Sequence, residues 1–242
     1  MPADDQQHVH RLLDVIERGD LFEVIEQIQI QLEPEAAATA FIELAKSLYH
    51  QKKSVSEAVA IARAGIQYCL SGSTNPLSRL MLRQKAKVLA FNLAADTWPG
   101  WGDPGIVHSA SDLDAGRDAA RLNLRLVREL ERGPLAESKA HWMLGAHLLA
   151  CGQRREALEE FSLGAEFARV AEDSNNEELN AGYIALIGVL EGDDGARARF
   201  GTIVETFANI PDSDDAKFFA TQLGKALEVF QHAEARESFR VT

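Results

Sequence analysis

Histidine, cysteine and paired carboxylates are the side chains that take up a metal ion, a proton or an acyl group, so their spacing is read first. The chain has seven histidines and two cysteines in 242 residues. His8 and His10 sit in an acidic N-terminal segment, and Glu137 and His141 stand one helical turn apart. That spacing suits a divalent metal only where three or four ligands converge, and no further partner is placed to join either pair. Asp112-Leu113-Asp114-Ala115-Gly116 begins like a calcium loop, but its glycine comes one place early and the closing bidentate glutamate is missing. Gly192-Asp193-Asp194-Gly195 lacks the Lys-Ser/Thr of a phosphate loop, and its acidic pair would repel phosphate. It reads as a turn. There is no Gly-x-Ser-x-Gly elbow, no zinc-protease helix and no dinucleotide fingerprint. The histidines offer no nucleophile-base pair. The residues therefore predict a protein that is not an enzyme, carries no metal and needs no cofactor.

A second chemistry-bearing stretch is aromatic. Trp98-Pro99-Gly100-Trp101-Gly102-Asp103-Pro104-Gly105-Ile106-Val107-His108 holds two of the three tryptophans and two of the seven prolines. We read 98–111 as an insertion loop. Prolines fix φ, glycines permit tight reversals and tryptophans need a surface to pack on, which describes a folded-back loop rather than a slack linker. Loops of this length are often functional. Two roles are open: Trp98 and Trp101 seal the hairpin they connect, or Trp101 and His108 contact a ligand.

The elements that must hold these residues are helices. Apolar residues recur every three or four positions along almost the whole chain, and strand-like alternation is absent. The pattern predicts helices at 5–18, 20–32, 35–51, 54–70, 77–97, 112–132, 135–150, 153–171, 176–190, 194–209 and 214–235. Pro34, Pro76 and Pro134 fit first helical turns, where a missing N–H costs nothing. Gly19, Gly72, Gly133, Gly152 and Gly192 fit helix ends, and Ser111 with Asp112 and Asp114 fits a helix start. Short links imply antiparallel neighbours, with 1–33 as an N-terminal capping pair and 212–242 as a C-terminal capping helix and tail.

Bulk properties narrow the partners. A net charge of −12 and a pI near 5.1 argue against nucleic acid and anionic membranes. No stretch approaches the apolar length of a membrane span, and the polar N-terminus does not resemble a signal peptide. Cys69 and Cys151 fall in apolar helical patterns and read as small buried thiols. The expectation is a cytoplasmic protein.

Residues 138–171 resemble a tetratricopeptide repeat. His141, Leu144-Gly145, Leu148, Ala157, Phe161 and Gly164 stand in the register of that family's large and small positions. Gly145 and Ala157 would let two helices approach, with Leu148 and Phe161 filling the groove between them. Residues 38–70 follow the same pattern through Phe41, Leu44-Ala45, Leu48, Ala58, Ala62 and Gly65, with one extra residue in the turn. Residues 79–130 and 178–209 follow it more loosely. The resemblance implies a single all-α domain, a right-handed α-solenoid of about five antiparallel helix pairs.

It also implies a function. Such proteins bind a protein or peptide along a concave face lined by the first helix of each pair. By register that face takes Lys46, Tyr49, His50, Arg83, Lys87, Phe91, Lys139 and Trp142, with Met143 and Leu149 beside them. The set is basic and aromatic inside an acidic protein, which suits an acidic or carboxylate-bearing segment. A structural subunit that self-associates, and a regulator answering to a ligand or peptide, are the alternatives.

Overall fold

A computed structural model describes residues 15–16, 20–71 and 75–240, with backbone alone for 234–240. Ten α-helices occur among the described residues, and no strand. They are α1 Leu21–Gln31, α2 Pro34–His50, α3 Val55–Ser71, α4 Pro76–Asp96, α5 Ala110–Glu129, α6 Pro134–Ala150, α7 Arg154–Val170, α8 Ser174–Leu190, α9 Asp194–Ala208 and α10 Asp214–Arg240. A short 3-10 turn, Pro99–Trp101, interrupts the loop between α4 and α5. The helix predicted at 5–18, apart from Val15 and Ile16, lies outside the described residues, as do Gly19, Gly72, His8 and His10.

Local chemistry sets the helix ends. Pro34, Pro76 and Pro134 each open their helix, and the Asn75 side chain accepts from the Leu77 amide at 2.9 Å. The start of α5 differs from expectation. Its cap is Ser109 rather than Ser111: the Asp112 carboxylate accepts from the Ser109 amide at 2.9 Å, and the Ser109 hydroxyl accepts from the Asp112 amide at 3.2 Å. A serine followed three residues later by a carboxylate closes this box; Ser111 has Asp114 at the same spacing, but that carboxylate is paired with Arg117 at 2.7 Å. Asp193 caps α9 in the same spirit, accepting from the Gly195 amide at 2.7 Å, so the Gly-Asp-Asp-Gly stretch is indeed a turn.

The helices fall into two compact units. The sequence suggested one continuous domain. The first unit runs to Thr97 and resumes at Gly105–Leu130; the second takes Trp98–Pro104 and the chain from Glu131 onward. In the first unit, α2 packs on α3, α3 on α4 and α4 on α5, and α2 also reaches α4. Gly65 of α3 sits beneath Phe41 and Leu89 at this crossing. In the second unit each helix from α6 to α10 packs on the next, and α6 reaches α8 and α8 reaches α10.

The second unit is strictly periodic. Its helices open at Pro134, Arg154, Ser174, Asp194 and Asp214, a fixed step of 20 residues. Each intervening turn holds one left-handed residue, in order Gly152, Glu172, Gly192 and Asp212. Gly145 of α6 packs directly on the Phe161 ring of α7, where an added Cβ would lie 2.9 Å from two ring carbons. Close helix approach here follows the small-against-large pairing that the sequence suggested.

Candidate functional site

The tryptophan loop has a definite seat. Trp98 is fully buried in the second unit, and its indole N–H donates to the Ala146 carbonyl of α6 at 3.1 Å. Around it stand Trp101, Trp142, Tyr183 and Phe230, with ring centroids at 4.7, 5.7, 6.0 and 6.5 Å. Gly100 must be glycine, because a Cβ there would lie 2.2 Å from the Trp98 ring. The 3-10 turn packs on both α6 and α10. Trp101 is half-buried, 6.0 Å from the Phe218 ring of α10. His108 belongs to the first unit instead, where its Nε2 lies 3.0 Å from the Asp96 carbonyl oxygen. Trp101 and His108 thus belong to different units.

The residues expected to line a concave face are dispersed by burial and pairing. Trp142 is 7% exposed, and Met143 and Leu149 are buried with it. They pack in the core of the second unit, while Lys139 on the same helix is exposed. In the first unit, Tyr49 is buried, while Lys46 and His50 are exposed, Lys46 lying 3.5 Å from Glu43. Arg83 is half-buried and paired with Glu129 of α5. Lys87 holds its ammonium 5.5 Å from the centre of the Phe91 ring, and both are half-buried.

Sequence reasoning missed the free face of α4. Its core side carries Leu82, Ala86, Leu89, Ala90 and Leu93. The opposite side carries Leu77, Leu80, Val88 and Phe91, with exposed Gln84 standing between Leu80 and Val88; Leu77 is 79%, Leu80 50% and Val88 38% exposed, and Phe91 is half-buried. A helix apolar on two sides has one face in the core and another without cover. The signal was present in the sequence as a second 3.6-residue stripe. Arg79, Arg83 and Lys87 follow one edge of it at four-residue spacing. An open cleft of about 280 Å³ also lies between α3 and α5, floored by Leu93, Ala115 and Ala119 and rimmed by Arg63 and Asp118.

Buried titratable groups serve structure. His141 is buried on α6, with Nδ1 2.6 Å from a Glu160 carboxylate oxygen of α7 and its ring stacked on Phe167. It ties two helices together. Among the described residues no group of three His, Cys, Asp or Glu is placed to hold a metal ion, and no described helix is long and apolar enough to cross a membrane.

Burial pushes the Cys69 thiol up from 9.0 to about 12. It also raises the Tyr183 phenol above 10.0, a rise partly offset by the Gln222 amide, which donates to its oxygen at 3.0 Å. Both groups are neutral when folded and ionise more readily when unfolded. Their stabilisation is complete below about pH 9; the Cys69 share is lost between 9 and 12 and the Tyr183 share from 10 upward. Unfolding free energy measured in urea should therefore fall above pH 9, by up to about 1.4 kcal/mol per pH unit for each group. The Cys69→Ala/Tyr183→Phe double variant should show a shallower alkaline decline. An equal decline in both proteins would refute the assignment.

No protein-family model matches the chain, and no curated protein matches it either.

Proposed function

We propose that this chain is a non-catalytic, cytoplasmic interaction module built as a tetratricopeptide-like right-handed solenoid, and that it holds a segment of another protein against the exposed face of α4. The repeat reading is supported by the regular helix step and by the skip-one contacts of α2 with α4, α6 with α8, and α8 with α10. A pair step of 40 residues exceeds the usual 34 of that family, because each helix of the second unit is longer. The one observation that carries the binding role is the uncovered apolar stripe of α4. Helices in water seldom keep several large apolar side chains on an open face, as Leu77, Leu80 and Val88 are here, unless something covers them.

A photo-crosslinking residue at Val88 tests this in cells. We expect heterologous adducts at Val88 and none at Val170 on α7, although Val170 is the more exposed of the two, 71% against 38%. Adducts at both positions, or at neither, contradict the reading. Adducts joining two copies of the chain would favour the self-associating subunit instead.

A further inference from the structure

We propose that the cleft between α3 and α5 binds a small apolar monocarboxylate, a site separate from the α4 face. Arg63 and Gln67 hold the carboxylate, and the hydrocarbon lies along the floor. α3 and α5 both pack on α4, and small side chains of α5 leave the space between them open. Ala115, Asp118, Ala119 and Leu122 recur every three or four residues, so they share one face of α5. Arg63, Ile66 and Gln67 do the same on α3. The floor is apolar: Leu93, Ala115 and Ala119 are buried, and Ile66 and Leu122 are half-buried beside them. A volume of about 280 Å³ has room for about nine water-sized groups of about 30 Å³ each. A carboxylate on a chain of about six to eight carbons fills that space.

The rim selects the carboxylate. Asp118 is answered within its own helix, 3.4 Å from the Arg121 guanidinium. Arg63 and Gln67 are exposed, and neither makes a hydrogen bond or ion pair with any described residue. Arg63 is the single cation of α3, and the helix's one acidic residue, Glu57, stands six positions earlier on another side. A planar guanidinium offers two parallel N–H donors to one carboxylate, and the Gln67 amide can donate a further N–H. Residues four apart on a helix stand side by side, so both reach one bound group. The apolar floor beside them excludes water, and a charge-assisted hydrogen bond is stronger there than in bulk solvent. An amine would meet Arg63 as a like charge, and a neutral amide would leave the guanidinium without a counter-ion.

The test is titration of the intact chain with octanoate, followed by calorimetry and by NMR of the methyl groups. Binding should saturate with a Kd at or below about 1 mM and shift Leu93, Ala115, Ala119 and Leu122 first. Octanamide keeps the chain and loses the charge, so it should bind at least tenfold more weakly; octylamine should not compete. Arg63→Gln should weaken octanoate at least tenfold and leave octanamide as it was, and Arg63→Lys should recover part of the loss. Gln67→Glu gives Arg63 a carboxylate from its own helix and should also weaken octanoate at least tenfold. Both positions are exposed, and circular dichroism melts check that the fold survives. The comparison of ligands on the unaltered chain stands even where a variant unfolds. Octanoate that fails to saturate, octanamide that binds as tightly, or an Arg63→Gln chain that binds octanoate unchanged overturns the proposal. Octylamine binding more tightly than octanoate would assign the rim to Asp118 and overturn it too. Shifts centred on Leu77, Leu80 and Val88 would put the hydrocarbon on α4 and overturn the cleft. None of these failures touches the Val88 crosslinks, which test the α4 reading separately.

Discussion

Trp98→Ala is expected to lower the unfolding free energy by about 3–5 kcal/mol, the range for removing a large buried aromatic. The indole is wholly enclosed, so its loss leaves a cavity among Trp101, Trp142, Tyr183 and Phe230 that stiff rings cannot collapse to fill. The hydrogen bond to Ala146 goes with it. Domains are typically stable by about 5–15 kcal/mol, so the second unit would be left marginal. Trp98→Phe keeps much of the buried area and should cost about half as much. Urea unfolding followed by circular dichroism measures both. A loss below about 1 kcal/mol for Trp98→Ala would mean that the loop does not seal this core.

Gly65→Ala should also destabilise, by about 1–3 kcal/mol, although the same change elsewhere in a helix is favourable. Alanine normally gains about 0.5–1 kcal/mol over glycine inside a helix by restricting the unfolded chain. At Gly65 the added Cβ would lie 2.7 Å from the Phe41 Cβ, 2.9 Å from its Cγ and 3.0 Å from a Leu89 methyl. A Cβ cannot rotate away, so α2 itself would have to shift. The clash outweighs the helix gain. Gly201→Ala is the matched control: nothing lies within 4 Å of its added Cβ, and it should raise stability by the ordinary helix increment. Should both substitutions stabilise in parallel urea titrations, the close approach of α2 and α3 at Gly65 is wrong.

Helix positions were legible because their punctuation is local. Pro34, Pro76 and Pro134 open helices where the sequence placed them, and the helix starts and most ends differ from expectation by three residues or fewer. The strict step of the second unit was harder to see, since two of its left-handed turn residues are Glu172 and Asp212 rather than glycine. Trp142 lay beyond local reasoning. Its register faces away from its own hairpin, and the rings of Trp98, Trp101 and Tyr183, distant in sequence, pack against it. Arg83 was read as a groove cation, yet its partner Glu129 is 46 residues away and on another helix. The outer stripe of α4 escaped because a search for one apolar face per helix stops when it finds the buried one.

The route of the chain also constrains how the protein can be made and divided. The second unit draws Trp98–Pro104 from a point upstream of α5, so no single cut of the backbone releases both units whole. A fragment starting at Glu131 would carry Trp142, Tyr183 and Phe230 without the ring they surround. During synthesis Trp98 leaves the ribosome before any of these three, and must wait, its apolar surface uncovered, until α10 has followed.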